Sequence, residues 1–243
     1  MKSRELYSGL SCVPPVFVRL DGRNFHIVAE GWNLERPFDQ RFSEAMAAVC
    51  MRLMADSGLS PDFSYTFSDE INLYFSQLPF TGRVEKIDSV AASYTASVLM
   101  LEMRSEIPLS FDARIIQVTP EIAVQYLIER QAEAWRNHVN AYCLSTLVDE
   151  GMSRKAAAKR LKGLPSPALH ELMFSHGINL AKTPAWQRRG ILVYKKAKTV
   201  EGWNPVVSRF VQTVRTTIVS EREPPVFSSP EGRLFLTGLI GEL

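Results

Sequence analysis

The stretch Phe63-Ser64-Tyr65-Thr66-Phe67-Ser68-Asp69-Glu70-Ile71-Asn72-Leu73-Tyr74-Phe75 decides the fold. Phe63, Tyr65 and Phe67 alternate with polar positions, and Ile71, Leu73 and Phe75 repeat the same spacing. A period of two is the mark of a strand, whose successive side chains point to opposite faces. With Ser68-Asp69-Glu70 at the bend, the stretch predicts a hairpin with an acidic tip.

Upstream, Val16 to Leu20 reads as a buried strand between the breakers Pro14-Pro15 and Asp21-Gly22. A helix follows from Asp39, because Phe42, Met46, Val49 and Leu53 recur at helical spacing, with Asp39 as N-cap and Gly58 just past the end. Downstream, Val84, Ile87, Ala91, Tyr94, Val98 and Leu101 make a second amphipathic helix, and Ala113 to Val118 a fourth strand. The order strand, helix, strand, strand, helix, strand predicts an α+β fold with the βαββαβ core and antiparallel sheet of ferredoxin-like and polymerase-palm domains. A right-handed crossover makes the first two strands parallel. The hairpin tip then lies at the sheet edge where the first strand ends, and Asp21 meets Asp69 and Glu70.

Thr119-Pro120-Glu121 starts a long flanking helix that runs to about Glu150. Ser153 begins a short basic helix and Ser166-Pro167 another, ending near His176-Gly177; Gly190 to Ala197 reads as a strand. Pro224-Pro225 and Ser228-Ser229-Pro230 mark a looser C-terminal arm. Residues 1–150 are expected to form a palm-like catalytic domain with its flanking helix. Residues 151–243 add a basic extension and arm to the same structural unit.

Over 243 residues, 46% apolar and 22% charged, the composition is globular and excludes collagen, low-complexity disorder and a disulfide scaffold. No apolar run reaches the roughly 18 residues of a membrane span. Met1-Lys2-Ser3-Arg4-Glu5 leads into no apolar segment, so a cytoplasmic location is expected. Cys12, Cys50 and Cys143 are too scattered for a zinc site, and any metal chemistry must rest on carboxylates. The net charge of +2 conceals an uneven distribution. Residues 151–200 hold eleven cations (Arg154, Lys155, Lys159, Arg160, Lys162, Lys182, Arg188, Arg189, Lys195, Lys196, Lys198) against Glu171 alone. A one-sign field this dense points to a polyanionic partner such as nucleic acid, or to an acidic protein surface.

Three acids converging on one sheet edge repel one another unless a cation sits among them. Mg²⁺ takes one or two carboxylates plus phosphate oxygens and water. A two-ion site bridged by Asp21 and Asp69 would orient an attacking hydroxyl and stabilise a leaving phosphate. Gly22 lets the chain approach phosphates closely, and Arg23-Asn24-Phe25-His26 can aim backbone N–H groups at anionic oxygens. Arg36, Arg83 and Lys86 are further phosphate candidates; Ser68 is equally a turn residue or a phosphate contact. His26 is open to stacking on a base or packing beneath the loop. His138 shares a helix face with Trp135 and Tyr142, a stripe that is either core or an RNA platform.

The runs Arg19-Leu20-Asp21-Gly22-Arg23-Asn24-Phe25-His26, Arg36-Pro37-Phe38-Asp39, Ser68-Asp69-Glu70, Arg83 and Lys86, Phe111-Asp112-Ala113-Arg114, Arg130-Gln131-Ala132-Glu133 and Arg188-Arg189-Gly190 resemble the tRNA(His) guanylyltransferase superfamily. The resemblance covers roughly residues 15–197. It implies two Mg²⁺ ions on Asp21, the Gly22 carbonyl and Asp69, with Glu70 as a supporting carboxylate. It also implies ATP and GTP or other nucleoside triphosphates along residues 21–26, tRNA as the partner, and a homotetramer built as a dimer of dimers. In the family's chemistry ATP adenylylates the tRNA 5′-phosphate, which the 3′-hydroxyl of an incoming nucleotide then attacks. Trp135-Arg136-Asn137-His138 stands where eukaryotic members carry His-Ile-Asn-Asn, and resembles the archaeal and bacterial branch of template-dependent 3′-to-5′ polymerases. The expected activity is therefore tRNA 5′-end repair, with addition of the extra guanosine to tRNA(His) as the alternative. Arg136, Asn137, His138, Arg154, Lys155, Lys159, Arg160, Lys162, Arg188 and Arg189 are the expected tRNA contacts. A palm-type nucleotide cyclase would need no basic segment, and an inactive RNA-binding module would need no acids.

Overall fold

A computed structural model describes residues 4–204 and 208–241. Its strands are β1 (Val16–Gly22), β2 (Phe63–Phe67), β3 (Glu70–Phe75), β4 (Phe111–Gln117), β5 (Ile191–Asn204) and β6 (Arg209–Glu221). The helices are α1 (Phe25–Gly31), α2 (Gln40–Ala55), α3 (Val84–Glu102), α4 (Pro120–Asp149), α5 (Arg154–Leu161), α6 (Ser166–Ser175), α7 (Ala185–Arg189) and α8 (Pro230–Gly241). One six-stranded sheet runs β4-β1-β3-β2-β5-β6, with every neighbouring pair antiparallel. The fold is mixed α/β, as the hairpin and its flanking helices required.

The alternation in the hairpin sorts its residues onto two faces. Ile71, Leu73 and Phe75 join Val16, Val18 and Leu20 of β1 in a core covered by α1, α2 and α3. Phe63, Tyr65 and Phe67 join Phe17 and Tyr74 beneath α4 and α8. With helices on both faces, the polar positions of the hairpin are buried as well. Thr66 accordingly donates to the Glu70 carbonyl at 2.7 Å, which settles its hydroxyl. The N-caps fall where the sequence placed them: Asp39 accepts from Arg41 N and Phe42 N, Thr119 from Ile122 N, and Ser153 from Ala156 N.

Three sequence expectations need correction. The C-terminal arm is not loose. Gln131 of α4 donates to the Pro225 carbonyl at 3.0 Å and accepts from Phe227 N at 2.7 Å, and α8 buries Gly232, Leu236 and Ile240. At Gly232 a Cβ would fall 2.0 Å from the Val226 carbonyl oxygen, so only glycine permits this approach. The basic strand is longer than Gly190 to Ala197: beyond Tyr194, β5 leaves β2 and continues as a two-stranded ribbon with β6 as far as Asn204 and Arg209. Arg83 and Lys86, finally, stand at the far end of the sheet from the acidic tip. β3 runs from Glu70 beside Asp21 to Phe75 beside Val16 before α3 begins, and Arg83 bridges Ser11 there. Among the described residues no helix is long and apolar enough to cross a membrane; Met1 to Ser3 of the opening run lie outside them.

Candidate active site

The register of β1 sets the site. Asp21 lies opposite Glu70 of β3 and Asp112 of β4, so one row of the sheet carries three acids. Asp112 ion-pairs with Arg114 at 3.3 Å. Asp69 sits in the turn after Ser68, whose backbone is left-handed (φ 50°) and whose hydroxyl donates to Asp69 Oδ1 at 2.9 Å. Gly22 N donates to the Asp69 carbonyl at 3.2 Å, tying the end of β1 to the hairpin tip. The expected meeting of Asp21, Asp69 and Glu70 is therefore present.

The three carboxylates have different surroundings. Burial pushes the Asp69 carboxyl up, against the Ser68 hydrogen bond, and the Asp21 charge adds to the rise. Burial also raises Glu70, although Asn72, Arg130 and Arg19 work in the opposite direction. Glu70 accepts from Asn72 Nδ2 at 2.8 Å and pairs with Arg130 at 3.1 Å. Among the described residues, neither Asp21 nor Asp69 forms an ion pair, whereas Glu70 does.

Two clefts meet at this tip. The larger, of about 380 Å³, is lined by Phe25, His26, Arg36, Phe38, Phe42, Asn137, Arg154 and Trp186, together with Ser68 and Asp69 of the hairpin tip. Phe25 is buried against Trp32, Phe42 and Phe111 and forms the floor, whereas His26 is exposed at the cleft. The smaller, of about 290 Å³, lies under α4 and is lined by Arg19, Asp21, Asp69, Glu70, Arg130 and Asn137 among others.

The donor set suits Mg²⁺. At Gly22 a Cβ would stand 3.0 Å from Asp69 Oδ2, so glycine keeps the space beside that oxygen open. Among the described residues no group of three or more His, Cys, Asp or Glu forms a metal cluster. Asp21 and Asp69, both lining the smaller cleft, are hard oxygen donors, and Mg²⁺ takes one or two carboxylates together with water and phosphate oxygens.

Several predicted contacts lie elsewhere. The N–H groups of Gly22 and Arg23 are spent on the carbonyls of Asp69 and Ser110, so neither aims at an anion. Arg23 and Asn24 are exposed and line neither cleft. His138 is fully buried, stacked between Trp135 and Phe38, with its Nε2 3.1 Å from the Thr183 hydroxyl. Burial and the Arg188 cation push its imidazole down to about 4, so it is a neutral core residue and not an RNA contact. Arg188 and Arg189 are half-buried and donate to the carbonyls of Thr183 (2.8 Å) and Pro224 (3.2 Å). Arg136 pairs with Glu133. Lys155, Lys159, Arg160 and Lys162 remain on the exposed face of α5 and its end, whose buried side is Ala157 and Leu161. The sequence reading gave no role to Arg19, Asn72, Tyr126 or Arg130. Period two along β1 puts Arg19 on the face of Asp21, and Arg19 and Arg130 both fall within the runs that carry the family resemblance.

The acids at this sheet end, beside a cleft lined by aromatic rings, Arg36 and Arg154, define a mixed α/β fold with a candidate site for an anionic ligand. The sequence profile of the tRNAHis guanylyltransferase family matches residues 1–119. A probable tRNA(His) guanylyltransferase of Mus musculus is 30% identical over 210 residues, covering 78% of this chain and 68% of the relative. tRNA(His) guanylyltransferase 1 of Arabidopsis thaliana is 28% identical over 224 residues, and there the chain covers only 39% of the relative's length. Among solved structures, a bacterial tRNA(His) guanylyltransferase-like protein in complex with ATP superposes with a TM-score of 0.75 at 24% identity, over 95% of this chain and 93% of that one. The tRNA(His) guanylyltransferase of Saccharomyces cerevisiae gives 0.67 at 22% identity, over 79% and 90%. The chain belongs to the tRNA(His) guanylyltransferase family, a family of nucleotidyltransferases.

Proposed function

We propose that this chain is a template-dependent 3′-to-5′ nucleotidyltransferase that adds nucleotides to the 5′ end of tRNA. The observation that carries the reading is the meeting of Asp21 and Asp69 in the smaller cleft, with Asp69 also lining the larger one. A nucleoside triphosphate lies with its base in the larger cleft, against the rings of Phe38, Phe42 and Trp186, and its phosphates toward Ser68 and Asp69 of the hairpin tip. Complexes of bacterial relatives with ATP and with GTP support both nucleotides as ligands. Two Mg²⁺ ions, when bound to Asp21, the Gly22 carbonyl and Asp69, supply charge neutralisation to the phosphates. Ser68 fixes one Asp69 oxygen, and Arg36 offers a cation along the cleft. Activation and transfer are both phosphoryl transfers, in which positioning and electrostatics dominate and no protein nucleophile is needed.

The strand order β4-β1-β3-β2 supports the palm-like reading of the core. The exposed cations of α5 supply contacts for the tRNA backbone, and Trp135-Arg136-Asn137-His138 in place of His-Ile-Asn-Asn supports templated addition. Homotetramer assembly and a cytoplasmic location complete the proposal and rest on the family resemblance and the sequence. The names of the curated relatives favour a second reading, guanosine addition to tRNA(His). Extension of labelled tRNAs with each nucleoside triphosphate in turn separates the two. Addition of only the complementary nucleotide to a tRNA lacking its first residue supports repair. Guanosine added only to full-length tRNA(His) supports the second reading.

A further inference from the structure

Tyr126 and Arg130 stand about one turn apart on α4, and both reach β3. The Tyr126 hydroxyl donates to Asn72 Oδ1 at 2.5 Å, and Asn72 Nδ2 donates to Glu70 Oε1 at 2.8 Å. Arg130 Nη1 lies 3.1 Å from Glu70 Oε2 and 3.4 Å from Oε1. Asn72 is fully buried and Glu70 is 8% exposed. Both Glu70 oxygens are therefore engaged from the α4 side, whereas Asp69 lines both clefts and receives the exposed Ser68 hydroxyl.

We propose that Tyr126, Asn72 and Arg130 are positioning residues that hold Glu70 against α4 and away from the cation shared by Asp21 and Asp69. The inference rests on the metal reading of the site given above. Its physical basis is competition. Mg²⁺ has a rigid octahedral shell, and a third carboxylate entering it displaces a water or a phosphate oxygen that the substrate needs. Glu70 lies opposite Asp21 in the sheet, next in sequence to Asp69, and without a partner of its own would turn to the nearest cation. Arg130 supplies the charge that prevents this, and Asn72, itself fixed by Tyr126, sets the angle of the carboxylate.

Mn²⁺ binding to the free protein, followed by electron paramagnetic resonance without nucleotide, tests this directly. Asp69→Asn should weaken Mn²⁺ binding. Arg130→Met should tighten it on the order of tenfold, because affinity rises with the number of charged ligands, and the added Glu70→Gln should return it to the wild-type value. In nucleotide addition, Arg130→Met should lower kcat with KM for the nucleotide little changed, and Arg130→Lys should recover part of the loss. Tyr126→Phe, which removes one hydroxyl and keeps the ring against Phe17, should shift Mn²⁺ affinity in the same direction by less. It keeps the test available if Arg130→Met does not fold. Mn²⁺ affinity unchanged in Arg130→Met and Tyr126→Phe, with Asp69→Asn still weakening it, overturns the positioning role alone. Binding unaffected by Asp69→Asn overturns the metal reading and the proposal with it.

Discussion

Asp69 and Glu70 are neighbours in sequence with different tasks: Asp69 lines both clefts, and Glu70 only the one beneath α4. The difference follows from position, since Asp69 lies in the turn and Glu70 begins β3. Asp69→Asn should abolish nucleotide transfer while leaving the circular dichroism spectrum and thermal midpoint near wild type; full activity in that variant would remove the site. Gly22→Ala is expected to destabilise the protein by roughly 1–3 kcal/mol, the range for overpacking. Its Cβ would fall 2.2 Å from Phe25 Cδ2, and chemical denaturation measures the cost. The acids themselves were legible, because strand order places Asp21, Asp69 and Glu70 together. The partners of Glu70 were not, because Tyr126 and Arg130 reach it only through the docking of α4 on the sheet. His138 shows the limit from the other side: its stripe with Trp135 and Tyr142 fits a core or a platform equally well, and only burial decides.

The elements carry their own tests. Burial pushes the Asp39 carboxyl up, but hydrogen bonds from Arg41 and from the N–H groups of Glu35 and Phe42 outweigh it and hold the group at about 2. A carboxyl lowered in the folded state stabilises above its ordinary value of 3.8 and loses that contribution as pH falls toward 2. Asp39→Ala should therefore cost about 1–2 kcal/mol at pH 7, as loss of an N-cap does. The gap from wild type in thermal melts should close toward pH 2. His176 works in the opposite sense. The Leu172 carbonyl and Glu150 raise its imidazole and tie the end of α6 to the end of α4. This contribution is present below the ordinary 6.5 and fades as pH rises past the raised value, so His176→Ala should lower the melting temperature more at pH 5.5 than at pH 8.5. Helices with caps and long apolar stripes were readable from the sequence. α1 has seven residues, too few to show a period, and β6 pairs mostly outside the core, where no burial imposes an alternating pattern.

At the scale of the molecule, the excess charge of residues 151–200 separates into two groups. Arg188 and Arg189 are held by backbone carbonyls, whereas Lys155, Lys159, Arg160 and Lys162 face solvent and Arg154 lines the larger cleft. Neutralising Arg154, Lys155, Lys159 and Arg160 together should weaken tRNA binding and reduce the slope of log affinity against log salt by up to about three or four. The same change at Arg188 and Arg189 should instead lower thermal stability, and an unchanged salt slope in the first variant would show that α5 faces another partner. Charge counting found the segment, but burial sorts its members. The most direct measurement is extension of a 5′-labelled tRNA lacking its first nucleotide, with ATP, Mg²⁺ and each nucleoside triphosphate singly, wild type beside Asp69→Asn. Addition of the template-matched nucleotide by wild type and none by the variant is the expected result; equal extension by both proteins would contradict a reaction centred on Asp21 and Asp69.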